Sequence, residues 1–465
     1  MVRISRRGWL ALALIALLFL IVPDRLKSAV RIVRAGDSIA SALSQASPGD
    51  TLRLDEGEYF ENLVIEVPIV LTGKGHPWIR GGYEGIVIHI KAPGTVIDGL
   101  RVSEAGTRLI DDMACILVEA DSVTIQNNRI DESLHGIYVK AGSWITIHDN
   151  RIEGRLDLIE EDRGNGIHLW NSRHSRIERN EILNTRDGIY FSFADSTIIR
   201  QNHVHHVRYG LHYMYSNHNI FEDNLFDENV AGAALMYSQN IGFYRNVFAR
   251  CRGFRAYGIL YQSMDDTRAE GNLILDNSRG IFLNNSGGNI LLHNDVVDND
   301  VAVQMNAGSD ANIFAGNNFI NNLSELLLDI SHTEIVWTDS SGGNYWSGYD
   351  GYDLDGDGIG DKPYTIQNVF QVLESNCPEV RFYLFSPAAE ILEAAERALP
   401  ILELGKSRDA APRMRPLANH DVPWFRVRQD RSEMNPLVAG AFFIGSATPL
   451  FLLLGLSRNH SGKRK

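Results

Sequence analysis

The chain has 465 residues, 44% of them hydrophobic, with 58 acidic against 44 basic side chains and a formal net charge of −14. That balance argues against a nucleic-acid partner, whose phosphates require clustered Lys and Arg. Three cysteines, Cys115, Cys251 and Cys377, show no metal-finger spacing and read as packing residues.

Residues 1–29 read as a targeting segment. Arg3, Arg6 and Arg7 precede the uncharged run Trp9 to Val22, the layout of a secretory signal and short for a membrane span. Lys27 sits poorly beside a cleavage point at Ala29, so an uncleaved anchor is the alternative. Asp37 to Ala46 reads as a short amphipathic helix with Asp37 or Ser38 as N-cap, suited to closing the end of a repeat array. Leu63 to Leu71 and Val96 to Val102 read as strands.

Nine asparagines then recur at steps of 22, 30, 22, 22, 22, 26, 22 and 23 residues: Asn128, Asn150, Asn180, Asn202, Asn224, Asn246, Asn272, Asn294 and Asn317. Each follows an apolar residue by three and precedes another by two, as in Phe221-Glu222-Asp223-Asn224-Leu225-Phe226. A second phrase keeps step with it, opening on Gly136, Gly166, Gly188, Gly210, Gly232, Gly258 and Gly280. Short apolar runs broken by turn residues, with no helical period between them, predict an all-β chain. The period predicts a right-handed parallel β-helix over 30–370 with about eleven coils. The aligned asparagines are expected at one corner, in the left-handed region, each bonded to the next. The longer steps read as loop insertions at Gly154 to Gly164 and Cys251 to Tyr257.

Past the last coil, Asp353, Asp355, Asp357 and Asp361 occupy positions 1, 3, 5 and 9 of a loop with Gly358 at position 6. This is calcium-loop spacing, although position 12 is Tyr364 rather than Glu. An ion-free acidic turn is the alternative. Residues 371–434 read as a helix, Pro387 to Leu402, followed by an irregular docking linker. Residues 435–457 read as a transmembrane helix, since Leu437 to Leu456 carries no charge. The basic tail 458–465 places the C-terminus in the cytoplasm and the solenoid outside, in the periplasm of a two-membrane cell.

Aligning the coils on the glycine phrase yields outward columns, because strand side chains alternate. One runs His168, Tyr190, His212, Ala234; the next runs Trp170, Ser192, Met214, Met236. Neighbouring coils lie about 4.8 Å apart, so His212, Met214 and Met236 can meet around one soft ion. Imidazole with thioether favours Cu(I). His168 lies two coils from His212, about 9–10 Å away, and joins only with movement. A partner-binding apolar patch is the competing reading. His203, His205 and His206 form a second, weaker copper candidate. Trp170, Tyr190, Tyr215 and Tyr237 are candidate partner-binding aromatics.

Several segments resemble the NosD family: Gly343-Asn344-Tyr345-Trp346-Ser347-Gly348-Tyr349-Asp350, Gly164 to Ser172, Arg208 to Ser216, and the opening from Gly36 to Tyr59. The resemblance covers most of 30–420. It implies an exported, non-enzymatic maturation factor for the copper enzyme nitrous oxide reductase. It further implies an ABC transporter partner of NosF/NosY type, a NosL-like copper donor, and copper or sulfur as cargo. The C-terminal span would tether the solenoid beside that transporter. The competing reading is a polysaccharide-binding or polysaccharide-modifying β-helix. An enzyme of that kind needs a base or paired carboxylates on one face, and the outward columns hold mostly His, Tyr, Met and Asn.

Overall fold

The computed structural model describes residues 28–328, 335–367, 373, 378–383, 386–398 and 407–418. Its body is a parallel β-solenoid whose coils each contribute one strand to three sheets of fourteen, thirteen and twelve strands. In the coil holding Asn180 these strands are Arg176–Glu178, Glu181–Leu183 and Asp187–Ser192, called here the first, second and third sheet. The coil number therefore exceeds the eleven expected from sequence. Of the three extra first-sheet strands, Val30–Val33 and Thr51–Leu54 lie at the N-terminus, where no ladder asparagine announces them, and Ile335–Val336 lies at the C-terminal end.

Alternation sends one side chain inward from each three-residue strand of the second sheet and two from the longer third-sheet strands, as with Ile189 and Phe191. The second sheet stacks Ile130, Ile152, Ile182, Val204, Phe226, Phe248 and Ile274, each no more than 1% exposed. Each such side chain is worth about 1.5–3 kcal/mol of burial. Aromatic residues stack face to face along the axis, Phe221 on Phe243 at 4.7 Å and Phe226 on Phe248 at 5.2 Å.

The nine asparagines form one continuous buried ladder, extended by Asn344. The Asn224 amide nitrogen donates to Asn246 Oδ1 at 2.9 Å and to the Ile199 carbonyl at 2.9 Å; its Oδ1 accepts from the Asn202 backbone N–H at 3.0 Å. The left-handed conformation expected of these asparagines belongs instead to the residue before each one: Asp149, Arg179, Gln201, Asp223 and Arg245 have φ between 52° and 57°. That residue makes the bend, and the bend turns the next side chain inward, where its amide replaces backbone bonds the corner cannot make. The glycine phrase has a steric cause: a Cβ on Gly188 would lie 2.1 Å from Val204 Cγ1 and 2.6 Å from the Gly210 carbonyl oxygen.

Both insertions emerge where expected, between second- and third-sheet strands, as residues 155–164 and 250–256; a third, 104–113, leaves the same corner. The N-terminal end is closed by the helix Ile39–Ser44, capped by Ser38, whose Oγ accepts from the Ser41 N–H. Glu61 accepts from the Ile39 and Ala40 N–H groups, sealing the same helix start. At the other end Trp337 and Trp346 lie over Phe319. Residues 407–418, expected as irregular linker, return to this end: Arg408–Asp409 pairs antiparallel with Tyr364–Thr365. Buried Asp409 accepts from the Asn344 N–H and the Trp346 indole. The described part of the expected 387–402 helix is Pro387–Ala398. No described helix is long and apolar enough to cross a membrane. The proposed span 435–457, the tail 458–465, Cys377 and nearly all of the 1–29 segment lie outside the described residues.

Candidate metal-binding face

The outer face of the third sheet holds the chemistry. Its strands are short, straight and in register, so side chains three coils apart share a column. One column runs Tyr138, His168, Tyr190 and His212, and His135, three residues before Tyr138 on its strand, packs its ring against Tyr138 and His168. Their rings are packed in series: Tyr138 stacks on His168 at 4.3 Å, His168 meets Tyr190 at 4.4 Å, and Tyr190 meets His212 edge-on at 4.8 Å. Two of the insertions flank this row. Lys140 on the sheet pairs with Asp112 of one at 3.2 Å, and Arg163 of the other donates to the Asn184 carbonyl.

Asp187 organises the centre. Its side chain is fully buried and accepts from both arms of Arg208, at 2.9 and 2.7 Å, and from His212 Nδ1 at 2.8 Å. Burial pushes its pKa up, but the bonds from His212 and Arg208 outweigh this and leave it below the usual carboxylate value. With Nδ1 donating to a carboxylate, His212 has its Nε2 lone pair left to bind a cation, an arrangement typical of metal-ligating histidines. Burial lowers the pKa of His135 to about 4 and, with help from His135 and Arg186, takes His168 well below its ordinary value. Both rings are therefore neutral at physiological pH.

Met214 and Met236 are direct register partners on adjacent coils, and His212 precedes Met214 by two on the same face. His168 is separated from His212 by the Tyr190 ring and is bound instead to Asn165, at 3.3 Å. Trp170 is 39% exposed, two coils from Met214 in its column. Tyr215, just after its strand, and Tyr237, at a left-handed bend within Ala231–Gln239, stack at 5.1 Å, with Phe193 continuing the stack at 5.3 Å. These three rings, with Asn171, Arg173, Asp195 and Asn217, line an open groove of about 420 Å³.

On the second sheet, His203 and His205 stack at 4.3 Å and share a neighbourhood with Glu181, their ligand atoms lying within 4.8 Å of one another. His206 points to Glu228, at 2.9 Å. In the acidic loop, carboxylate oxygens of Asp353, Asp355 and Asp357 also lie within 4.8 Å. Asp353 accepts from the Gly356 and Gly358 N–H groups, whereas Asp361 turns to the Leu354 N–H.

Asp187, Arg208, Tyr138, His135, Phe193 and Glu181 were not singled out from sequence. Column alignment does not reach Asp187, because it lies three residues before Tyr190, the register partner of His212, where strand alternation assigns the opposite face. Phe193 stands one coil before Tyr215 in its column.

A family model described as periplasmic copper-binding protein (NosD) matches residues 148–351. The chain is 37% identical over 401 residues to a probable ABC transporter binding protein NosD of Pseudomonas aeruginosa, covering 81% of this chain and 93% of that one. A protein of the same description from Stutzerimonas stutzeri is 34% identical over 398 residues, covering 82% and 90%. Among solved structures, a family 28 exopolygalacturonase of Yersinia enterocolitica aligns with a TM-score of 0.45 at 10% identity, over 68% of this chain and 78% of its own. The length and identity of the two matched relatives place this chain in the NosD family.

Proposed function

We infer that this protein is an exported accessory factor that holds Cu(I) on the outer face of its third sheet during maturation of nitrous oxide reductase. It works with an ABC transporter of NosF/NosY type and takes its copper from a NosL-like donor. The observation that carries this reading is the Asp187–His212 pair: a buried carboxylate fixes the imidazole with Nε2 free to ligate, beside two thioethers in register. The names of the relatives support the transporter association and the periplasmic setting. In this reading 1–29 directs export, 435–457 tethers the body to the membrane, and Asp353, Asp355 and Asp357 hold a structural calcium.

The test is an anaerobic Cu(I) titration of the full-length protein against a competing chelator. One equivalent should bind. The triple change His212→Ala, Met214→Ala, Met236→Ala should abolish binding, and Asp187→Asn should weaken it 10–100-fold. Absence of binding in the unaltered protein, or equal binding in the triple variant, defeats the reading.

A second reading, recognition of a polysaccharide or protein partner, is favoured by the exposed Phe193–Tyr215–Tyr237 stack and its polar groove. A polysaccharide-modifying enzyme fits less well. The seven third-sheet strand segments from His135 to Asn284 carry two carboxylates, Asp187 and Asp265; Asp187 is already tied to Arg208 and His212, and Asp265, at the far end of its strand, accepts from the Gly287 N–H.

A further inference from the structure

We propose a second metal site on the second sheet, formed by Glu181, His203 and His205, that takes a borderline divalent cation such as Zn²⁺ or Cu²⁺ rather than Cu(I).

Register brings the ligands together. Glu181 and His203 are directly paired on adjacent coils, and His205 follows His203 by two, so all three leave the same outward face. Their ligand atoms fall within 4.8 Å of one another before any ion draws them in. Metal–N and metal–O bonds of about 2.0–2.2 Å in a tetrahedron place ligand atoms about 3.3–3.6 Å apart. His205 Nε2 and Glu181 Oε1 stand at 3.6 Å, a spacing that suits two ligands of one ion and is long for a hydrogen bond.

The supporting bonds orient these ligands. Glu228 Oε2 lies 2.9 Å from His206 Nε2, and a carboxylate accepts, so that nitrogen carries the proton. His206 Nδ1 shares a hydrogen bond of 2.7 Å with His205 Nδ1. These bonds fix the His205 ring with Nε2 facing Glu181, its ion-pair partner. Arg151 holds the other oxygen of Glu181 at 2.5 Å, which aims Oε1 at the histidine. A cation between the ring nitrogen and the carboxylate oxygen would take the place of their ion pair. A histidine whose second nitrogen is bonded, with a carboxylate behind that partner, is the usual support of a metal ligand.

The donor set selects the ion. Two imidazoles and one carboxylate suit Zn²⁺ and Cu²⁺, and the absence of sulfur from the trio disfavours Cu(I). The site is thus chemically distinct from the thioether-bearing face of the third sheet, and it does not depend on the copper reading of that face.

The experiment titrates the full-length protein with Zn²⁺, and separately with Cu²⁺, against a chromophoric chelator. One equivalent should bind, with equal affinity in the His212→Ala, Met214→Ala, Met236→Ala variant. His203→Ala with His205→Ala should lower affinity at least 100-fold, and His206→Ala 10–100-fold through loss of the hydrogen bond that orients His205. Melting temperatures without metal confirm that each variant folds. If the double variant does not fold, Glu181→Gln replaces it, with the same expected loss. Absence of Zn²⁺ and Cu²⁺ binding overturns the site. So does wild-type affinity in the double variant or in Glu181→Gln.

Discussion

Replacing Asn224 by alanine tests what binds coil to coil. The side chain makes four hydrogen bonds: two from its amide nitrogen, to the Ile199 carbonyl and Asn246 Oδ1, and two to its Oδ1, from the Asn202 backbone and side chain. Asn202 and Asn224 are at most 1% exposed, so water does not replace the lost partners. Alanine strands the Asn202 N–H and removes a donor from the Ile199 carbonyl. At about 1–3 kcal/mol for each buried group left unmatched, the loss should be about 2–6 kcal/mol. Urea denaturation followed by far-ultraviolet circular dichroism measures it, and hydrogen exchange at the Asn202 amide locates it. Asn224→Asp separates bonding from volume. Its second oxygen would face the Ile199 carbonyl and Asn246 Oδ1, so the folded state retains a proton and raises the carboxyl pKa above its unfolded value. That variant should approach wild-type stability in acid and lose it as pH rises through the raised pKa. A midpoint unchanged by alanine, or an aspartate variant indifferent to pH, would refute the ladder as the element joining the coils.

Burial lifts the Glu325 carboxyl from 4.5 to about 8. An unfolded chain releases this proton above about pH 4.5 while the folded chain keeps it, so stability falls as pH rises from 4.5 toward 8. Glu325→Gln should therefore raise the melting temperature more at pH 8 than at pH 5; the opposite order would disprove the burial argument. Asp355→Ala combined with Asp357→Ala should erase a calcium-dependent rise in melting temperature, and a preserved calcium response excludes this loop as its source.

The solenoid is legible in the sequence because its strongest constraints are periodic. A corner amide must recur once per coil, and a corner too narrow for a Cβ demands Gly136 through Gly280 at the same interval. The early coils escape notice because they turn without a ladder residue and use irregular lengths. Within the candidate face, column alignment finds His212, Met214 and Met236, since strand alternation and coil spacing alone place them. It does not find Asp187 as the partner of His212. That contact is diagonal, reaching from one coil to a residue three places beyond its register partner Tyr209. The left-handed residues at the corners are chemically mixed, from Arg179 to Gln201 to Asp223, because any side chain pointing to water is accepted there once the amide ladder fixes the bend.

The fourteen-strand sheet makes the body a rod about 60 Å long at about 4.8 Å per coil. Because each coil touches only its neighbours, gaining or losing one whole coil changes the separation between features by a single fixed increment and disturbs neither. A coil added after Leu292 would carry the 407–418 strap one step farther from the imidazole face, with both left intact. Reach is thereby set by counting, independently of the chemistry at either point, and a lineage of such proteins can adjust its span to a larger or smaller assembly without redesigning a ligand.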